Sequence, residues 1–311
     1  MAELRHSEFV DDAINDMVVV TGIPRSGTSI FGQLVGSLTT VEYAYEPPMV
    51  NYFDGKLRHG EISPETVSEI FVPYLFYEHF ASYLHGRRYS FRDGDFSYIL
   101  GMKTVPEIVE QWGTVHGLSD ALDRAPRYTF SFKYPGCYDL LSALYAQRPS
   151  ITVVDIGRNL ERIAASMYVK EWFFDHALQP GSPGRWPYHQ SGELQVPYLV
   201  AEDDIEWWHR MSPSTRTIYV CNRFAEDRLA FEEQYGERDT YRSVRYERFV
   251  DAPDDVAEEI AAFVGVEPGA KTEGVIDSIE PTTSAVDLDE ILATCDQSVR
   301  TRFDELRPRL S

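Results

Sequence analysis

The chain alternates short apolar runs with longer stretches in which apolar residues recur at helical spacing. Strands are predicted at residues 17–21, 128–133, 151–156, 216–221 and 241–245, and helices at residues 28–38, 138–147, 160–174, 224–235 and 254–264. Strands joined by helices imply right-handed crossovers and a parallel sheet that is covered on both faces. The pattern therefore predicts an α/β fold, a doubly wound, mainly parallel sheet with helices on both faces, formed by residues 1–311 as a single domain.

Two segments interrupt this alternation, residues 47–127 and residues 175–213. Both are rich in aromatic residues and in Gly or Pro, for example at 74–77 in the first and at 185–189 in the second. Insertions of this kind in an open parallel sheet tend to cover the carboxyl ends of the strands, where ligands bind. We expect the two segments to cover an acceptor substrate, and ordinary core packing of their aromatic residues is the competing interpretation.

The charge of the chain limits its partners. It contains 29 Lys and Arg against 50 Asp and Glu, which gives a net charge of −21. Phosphate backbones and anionic lipids repel such a chain, so we expect no nucleic-acid partner. No segment approaches the ~20 consecutive apolar residues that span a bilayer, so we expect no stable membrane insertion. Only five of the 29 basic residues are Lys, which fits either a surface adapted to high salt or a genome-wide preference for Arg codons.

The cysteines and the first residues bear on location. Cys137, Cys221 and Cys295 are too few and too scattered for a disulfide framework or a zinc site. Residues 1–16 are acidic and contain no apolar signal core. These features favour a cytoplasmic location.

The strongest local signal is the loop at residues 22–27, between the first predicted strand and a helix. Gly22 and Gly27 stand five positions apart, as in P-loops, and small residues allow backbone N–H groups to surround phosphate oxygens at a helix N-terminus. The lysine that follows the second glycine in nucleotide kinases is replaced by Thr28, and a positive charge stands inside the loop at Arg25. This loop suits a ligand with one phosphate at this end and a transferable group beside it. A P-loop-type nucleotide kinase is the alternative.

Residues 24–29 resemble the 5′-phosphosulfate-binding loop of the sulfotransferases that use 3′-phosphoadenosine 5′-phosphosulfate (PAPS). A second motif agrees with this resemblance. The predicted strand at 151–156 leads to Arg158, and Ser166 lies eight residues further on. In that family an Arg and a Ser at this spacing hold the 3′-phosphate of the cofactor.

A third region, residues 244–266, resembles the family's Tyr-Glu-Asp-Leu segment and the helix after it, with Arg248 where Asp is usual. The resemblance brings Tyr246 near the cofactor, and packing is an equal alternative. The Arg-Lys-Gly loop that cytosolic members close over the nucleotide is absent, and residues 278–284 are only a weak candidate for adenine contacts.

The resemblance thus implies PAPS as co-substrate, without a metal ion. The eight histidines show no metal-ligand spacing. The implied cofactor-binding residues are Arg25, Ser26, Gly27, Thr28, Ser29, Arg158, Ser166 and Tyr246.

The general base is the next question. Cytosolic members use a His two residues after a Lys, but Pro135 holds that position after Lys133, and proline cannot accept a proton. The tyrosylprotein and some bacterial members use a Glu about twenty residues after the loop, and Glu46 stands twenty-one residues after Arg25. Pro47 is expected to hold Glu46 in an extended conformation. Glu42 competes, because residues four apart in a strand share a face, and the resemblance favours Glu46.

The resemblance therefore implies a sulfotransferase that moves a sulfuryl group from PAPS, in line, to a hydroxyl of a glycan, a lipid-linked sugar or a small molecule. Glu46 is the implied base, while Lys133 and Arg25 stabilise the sulfonate and the leaving group. A non-catalytic nucleotide-binding module is a further alternative. We expect Arg25, Lys133 and Arg158 to converge on one electropositive pocket in an otherwise acidic surface.

Overall fold

A computed structural model describes residues 10, 14–182, 188–191, 193–280 and 286–310, with residues 188–191 described through their backbone. The strands are β1 Val18–Thr21, β2 Val41–Tyr45, β3 Thr129–Lys133, β4 Thr152–Gly157, β5 Tyr188–Ser191, β6 Leu194–Pro197 and β7 Tyr241–Arg245. The helices are α1 Thr28–Gly36, α2 Met49–Arg58, α3 Pro64–Tyr74, α4 Ala81–Leu84, α5 Val105–Thr114, α6 Leu118–Arg124, α7 Tyr138–Gln147, α8 Leu160–Val169, α9 Ile205–Arg210, α10 Pro213–Tyr235, α11 Tyr246–Asp251, α12 Pro253–Val264, α13 Thr272–Asp277, α14 Leu288–Ala293 and α15 Gln297–Leu306.

Five of these strands form a parallel sheet in the order β2-β3-β1-β4-β7, and β5 and β6 form a separate antiparallel pair. In the register of the large sheet, Val20 of β1 stands opposite Lys133 of β3 and Val154 of β4. The strands on the two sides of β1 run in the same direction, so their carboxyl ends meet at one edge. The predicted α/β fold with a doubly wound parallel sheet is confirmed.

Both faces of the sheet are buried, as the alternation of side chains in a strand requires. Val18 and Val20 of β1 pack with residues of α1 and α12 on one face. Val19 packs on the opposite face with residues of α2, α3 and α7. A third core cluster joins α8, α10 and α15 beside the sheet. The apolar runs at the strand positions are explained by burial on two sides.

Two predicted elements differ in the structure. The strand predicted at 216–221 is wrong, because these residues lie within the 23-residue helix α10. Ser212 caps this helix by accepting a hydrogen bond from the backbone N–H of Thr215, and every residue from 214 to 222 is buried. A helix buried on all sides has the same continuous apolar run as a buried strand. The helix predicted at 160–174 ends at Val169, and Glu171 takes a φ of +55°.

The first insertion folds mainly into helices. It contains α2 to α6, and a π-helical segment, Leu75–Phe80, continues from α3. Leu75 and Phe76 are fully buried in the core between this insertion and α7, so core packing accounts for them. Of the second aromatic group, residues 185–187 lie outside the described residues. No helix in the described part of the chain is long and apolar enough to cross a membrane.

Candidate functional site

The loop after β1 is a tight turn with an unusual backbone. Gly22, Arg25 and Gly27 have φ angles of +150°, +77° and +93°. A Cβ atom on Gly27 would lie 2.4 Å from the ring of Tyr246, so only glycine fits there. Helix α1 begins directly after the loop, and the first N–H groups of a helix have no partner within it. The hydroxyl of Ser26 is buried and has no hydrogen-bond partner within the described residues. These features fit a loop that binds phosphate oxygens.

A cavity of about 290 Å³ lies against this loop. It is close to the lower end of the ~300–1,000 Å³ that is usual for small-molecule sites. Five segments that are distant in sequence meet around it: the loop with α1, the first insertion at Phe96, the end of β4, α11, and residues 278–280. Its lining residues are Arg25, Gly27, Thr28, Ser29, Ile30, Phe96, Arg158, Tyr246, Ser278 and Glu280. Most of the residues predicted to bind the cofactor therefore lie at one cavity.

Arg158 lies directly after β4 and is only 5% exposed. Its guanidinium donates a hydrogen bond to the carbonyl oxygen of Arg25, at 3.0 Å, and its Cζ lies 4.5 Å from the ring centroid of Tyr246. Burial lowers the pKa of Arg158, although an arginine remains charged at neutral pH. The cation is thus fixed between the phosphate loop and an aromatic face.

Ser166 lies on α8. It is predicted to act together with Arg158, and in the structure its hydroxyl contacts Arg25 of the loop. Its hydroxyl accepts a hydrogen bond of 3.0 Å from Nε of Arg25. The guanidinium of Arg25 also lies 5.7 Å from the ring centroid of Trp172. A serine hydroxyl can donate one hydrogen bond while it accepts another. The two motifs predicted for the two ends of the cofactor are therefore joined through Arg25.

Lys133 and Glu46 come together where β2 and β3 end. Lys133 is 1% exposed; its ammonium donates to the hydroxyl of Ser29, at 3.1 Å, and forms an ion pair with the carboxylate of Glu46. It also lies 4.6 Å from the ring centroid of Tyr45. Burial lowers the pKa of Lys133, and the negative charge of Glu46 opposes this shift. The side chain of Glu46 is 37% exposed. A buried cation thus links the phosphate loop to an accessible carboxylate.

The backbone of Glu46 is not extended, contrary to the expectation from Pro47. Glu46 has a φ of +42°, in the left-handed region that favours glycine. Its N–H donates to the carbonyl oxygen of Lys133, at 3.0 Å, and this bond continues the pairing of β2 with β3 by one residue. The ion pair and this bond hold a conformation that costs ~1–3 kcal/mol.

Glu42, the competing carboxylate, lies in a different environment. It is fully buried within β2, where it forms an ion pair with Lys103 and accepts a hydrogen bond of 2.9 Å from Nε2 of Gln111. Both partners come from the first insertion. Neither glutamate is among the residues that line the cavity, and their partners separate them. Glu42 contacts the first insertion, whereas Glu46 contacts Lys133, which reaches the phosphate loop at Ser29.

Sequence reasoning named Tyr246 but missed two other aromatic residues of this site, Phe96 and Tyr45. Phe96 lines the cavity, is 46% exposed, and stacks on Tyr45 at 6.1 Å with an interplanar angle of 13°. Phe96 lies in the insertion, where no motif marks it. Of the weak adenine candidate at 278–284, Ser278 lines the cavity, and residues 281–284 lie outside the described residues. In the described parts of the chain, no three His, Cys, Asp or Glu side chains form a cluster that could hold a metal ion.

No protein-family model matches the chain, and no curated protein matches its sequence. Its structure is similar to the sulfotransferase STF9 from Mycobacterium avium, with 15% identity over 98% of this chain and 79% of that one and a TM-score of 0.48. It is also similar to STF1 from Mycobacterium tuberculosis H37Rv, with 16% identity over 98% and 80% and a TM-score of 0.44. For mouse SULT7A1, solved with PAP, the identity is 12% over 96% and 87%, and the TM-score is 0.43. These structures are sulfotransferases, the family that the motifs of this chain resemble.

Proposed function

We propose that the protein transfers a sulfuryl group from PAPS to an acceptor hydroxyl, with Glu46 as the general base. The observation that carries this proposal is the position of the buried Lys133 ammonium, which contacts both the phosphate loop at Ser29 and the carboxylate of Glu46. A carboxylate so close to an anion-binding loop weakens anion binding unless a cation separates the two. We assign Glu46 the role of a base that takes a proton from the acceptor hydroxyl, which explains a carboxylate at this position.

The residues around the cavity fit the two ends of PAPS. The loop at 22–27 and the start of α1 would hold the 5′-phosphate, since backbone N–H groups and the buried Ser26 hydroxyl lie there. Arg158 and Ser166 would hold the 3′-phosphate. When bound, PAPS supplies a sulfuryl group on a phosphosulfate anhydride, whose bridging oxygen leaves with negative charge.

The chain's own residues perform the remaining work. Lys133 and Arg25 place fixed positive charge where negative charge develops, which requires no reorganisation at the moment of reaction. Glu46 is accessible enough to contact an acceptor hydroxyl, and it accepts the proton that this hydroxyl loses. The lysine also holds the carboxylate in place. Positioning and electrostatic stabilisation thus account for the proposed catalysis.

The acceptor approaches from the side of the first insertion. Phe96 comes from this insertion and lies at the cavity wall next to Tyr45, whose ring contacts Lys133. We therefore retain residues 47–127 as an acceptor cover, and residues 175–213 as a second one. The acceptor is a hydroxyl of a glycan, a lipid-linked sugar or a small molecule.

Calorimetric titration with adenosine 3′,5′-bisphosphate and incubation with labelled PAPS and a panel of acceptors test this function. We expect micromolar binding of the bisphosphate and transfer of label to at least one hydroxyl acceptor. No binding at micromolar levels, in the salt that keeps the protein folded, would overturn the proposal. Tighter binding of ATP with Mg²⁺ than of the bisphosphate would favour the kinase instead.

Lys133→Ala separates an enzyme from a module that only binds nucleotides. The substitution should abolish transfer and leave bisphosphate affinity largely intact, because the loop and Arg158 remain. Lys56→Ala is the matched control, since Lys56 forms a surface ion pair with Glu61 and lies far from the loop in sequence. Binding of the bisphosphate by the unaltered protein without transfer to any acceptor would favour the module.

A further inference from the structure

A second hollow, of about 130 Å³, adjoins Arg158 at the same edge of the sheet. Arg158 also lines the larger cavity, so this residue belongs to both. The smaller hollow is lined by Arg228, Arg245 and Arg309 as well, together with Ser243 and a single carboxylate, Glu232. Four arginines around one hollow are a marked concentration of positive charge in a chain with a net charge of −21.

The inner wall of the hollow is rigidly built. Arg228 is 6% exposed; its Nε donates to the carboxylate of Asp155, at 2.7 Å, and one terminal nitrogen donates to the hydroxyl of Ser243, at 3.0 Å. The fully buried Asp155 also accepts hydrogen bonds from the hydroxyls of Tyr138 and Tyr241, at 3.1 and 2.9 Å. The ion pair with Asp155 and the hydrogen bond to Ser243 hold the Arg228 guanidinium in a fixed position at the wall of the hollow.

A glycine keeps the space beside this guanidinium clear. A Cβ atom on Gly157 would lie 2.7 Å from a terminal nitrogen of Arg228. The outer wall is exposed: Arg245 ends β7 and lies 3.5 Å from Glu247, and Arg309 lies in the turn Arg307–Arg309. Fixed cations on the inside and exposed cations on the outside give an anion a path from solvent.

We propose that this hollow binds hydrogen phosphate, at a site separate from the proposed PAPS site. Guanidinium groups match tetrahedral oxyanions, with which they form paired, charge-assisted hydrogen bonds. The volume is several times the ~30 Å³ that a water molecule occupies in the liquid, and it is too small for a nucleotide. Glu232 selects among anions, because a P–OH group donates to its carboxylate whereas sulfate carries no proton at neutral pH.

The shared arginine couples the two sites. An anion in the small hollow reduces the positive charge that Arg158 offers to the larger cavity, and an anion in the larger cavity does the same in return. Coupling between two binding equilibria is reciprocal. Phosphate should therefore weaken the binding of adenosine 3′,5′-bisphosphate, and the bisphosphate should weaken the binding of phosphate by the same factor.

Titration with inorganic phosphate at constant ionic strength, followed by ³¹P NMR or calorimetry, tests the site. Arg245→Gln and Arg309→Gln should each lower phosphate affinity about tenfold, because each removes a charged donor. Arg242→Gln and Arg300→Gln are matched controls on exposed arginines outside the hollow and should change phosphate affinity less than twofold.

The selectivity of the site has a separate test. Phosphate should bind more tightly than sulfate, and Glu232→Gln should reduce this preference. In phosphate-free buffer, Arg245→Gln should keep its affinity for the bisphosphate.

Three results would overturn the proposal. The first is no binding of phosphate by the unaltered protein at millimolar concentration. The second is unchanged phosphate affinity in Arg245→Gln and Arg309→Gln, which would place the phosphate in the loop at 22–27. The third is an equal loss in the two control variants, which would show a general effect of charge. The titration needs neither PAPS nor an acceptor, so its outcome does not depend on the proposed function.

Discussion

Two glutamates four residues apart, Glu42 within β2 and Glu46 directly after it, each form an ion pair with a lysine. The two pairs differ in which member is buried. In the pair of Glu42 with Lys103, the carboxylate is fully buried and the lysine side chain is 12% exposed. In the pair of Glu46 with Lys133, the lysine is 1% exposed and the carboxylate is 37% exposed. A carboxylate must be accessible to receive a proton from a substrate. Of the two, only Glu46 is accessible.

The residues around the two ion pairs also differ. Glu42 is bonded to Gln111, which in turn accepts a hydrogen bond from the hydroxyl of Tyr89, and all these partners come from the first insertion. This cluster fastens the insertion to the sheet. The partner of Lys133 besides Glu46 is Ser29 of the phosphate loop. The first pair should therefore control stability, and the second should control catalysis.

The largest effect is expected at the accessible carboxylate. Glu46→Gln removes the proposed base while keeping the size of the side chain, so kcat should fall by about 10²–10⁴-fold. The melting temperature should fall only modestly, because the side chain of Glu46 is 37% exposed and the amide oxygen of Gln can still accept a hydrogen bond from the buried Lys133 ammonium. Turnover of labelled PAPS with the best acceptor measures the first effect, and a thermal melt measures the second.

Glu61→Gln is the control for this substitution, since it neutralises a glutamate in a surface ion pair. It should leave kcat within a factor of about two, as exposed pairs contribute little. A Glu46→Gln protein that keeps more than a tenth of the activity would remove Glu46 from the base role.

The inner pair should affect folding instead. Lys103→Met leaves the carboxylate of Glu42 buried without its cation, which should lower the free energy of unfolding by about 3–5 kcal/mol. The kcat of the folded protein should stay within about threefold of the unaltered value, because the hydrogen bonds that link Glu42 to Lys103 and Gln111 do not involve the phosphate loop or Glu46. Urea denaturation at 25 °C measures the loss of stability.

Lys56→Met provides the comparison and should cost less than about 0.5 kcal/mol. A loss of turnover in Lys103→Met without a loss of stability would reverse the comparison and place Glu42 in the active site.

The turn at residues 22–27 and the position of Arg158 beside it could be predicted from sequence because both depend on local spacing. A strand, a glycine turn and a helix start fix the backbone of residues 22–27, and Arg158 needs only the end of β4 to reach the same edge. The fold was predictable for the same reason, since buried strands and their helices carry regular apolar patterns.

Other features depend on distant contacts and carry no local signal. The left-handed backbone at Glu46 is set by Lys133, which lies 87 residues away in sequence. Phe96 reaches the cavity only through the path of the insertion, and the helix at 216–221 became visible only with its packing partners. The separation of Glu42 from Glu46 required the positions of Lys103 and Gln111.

The pH dependence of activity should report the buried lysine. Lys133 carries its charge below its pKa, which burial lowers from the usual 10.5. In the unaltered protein, kcat/KM should therefore fall as the pH rises through this lowered value, by about tenfold per pH unit. Lys133→Arg keeps a charge with a pKa above about 12, so any residual activity should lose this alkaline decline. An identical decline in both proteins would assign it to another group.

The smallest effect is expected at Ser166, which connects the two phosphate motifs. Ser166→Ala removes the hydroxyl that accepts from Nε of Arg25, at 3.0 Å, and that is proposed to contact the 3′-phosphate. Affinity for adenosine 3′,5′-bisphosphate should fall about fivefold, the effect of one hydrogen bond. Affinity for adenosine 5′-phosphate, which has no 3′-phosphate, should stay within about twofold, and parallel calorimetric titrations measure both.

An equal loss of affinity for the two ligands would instead make Ser166 a positioning residue for Arg25. Ser150→Ala, on an exposed serine remote from the cavity, should change neither affinity.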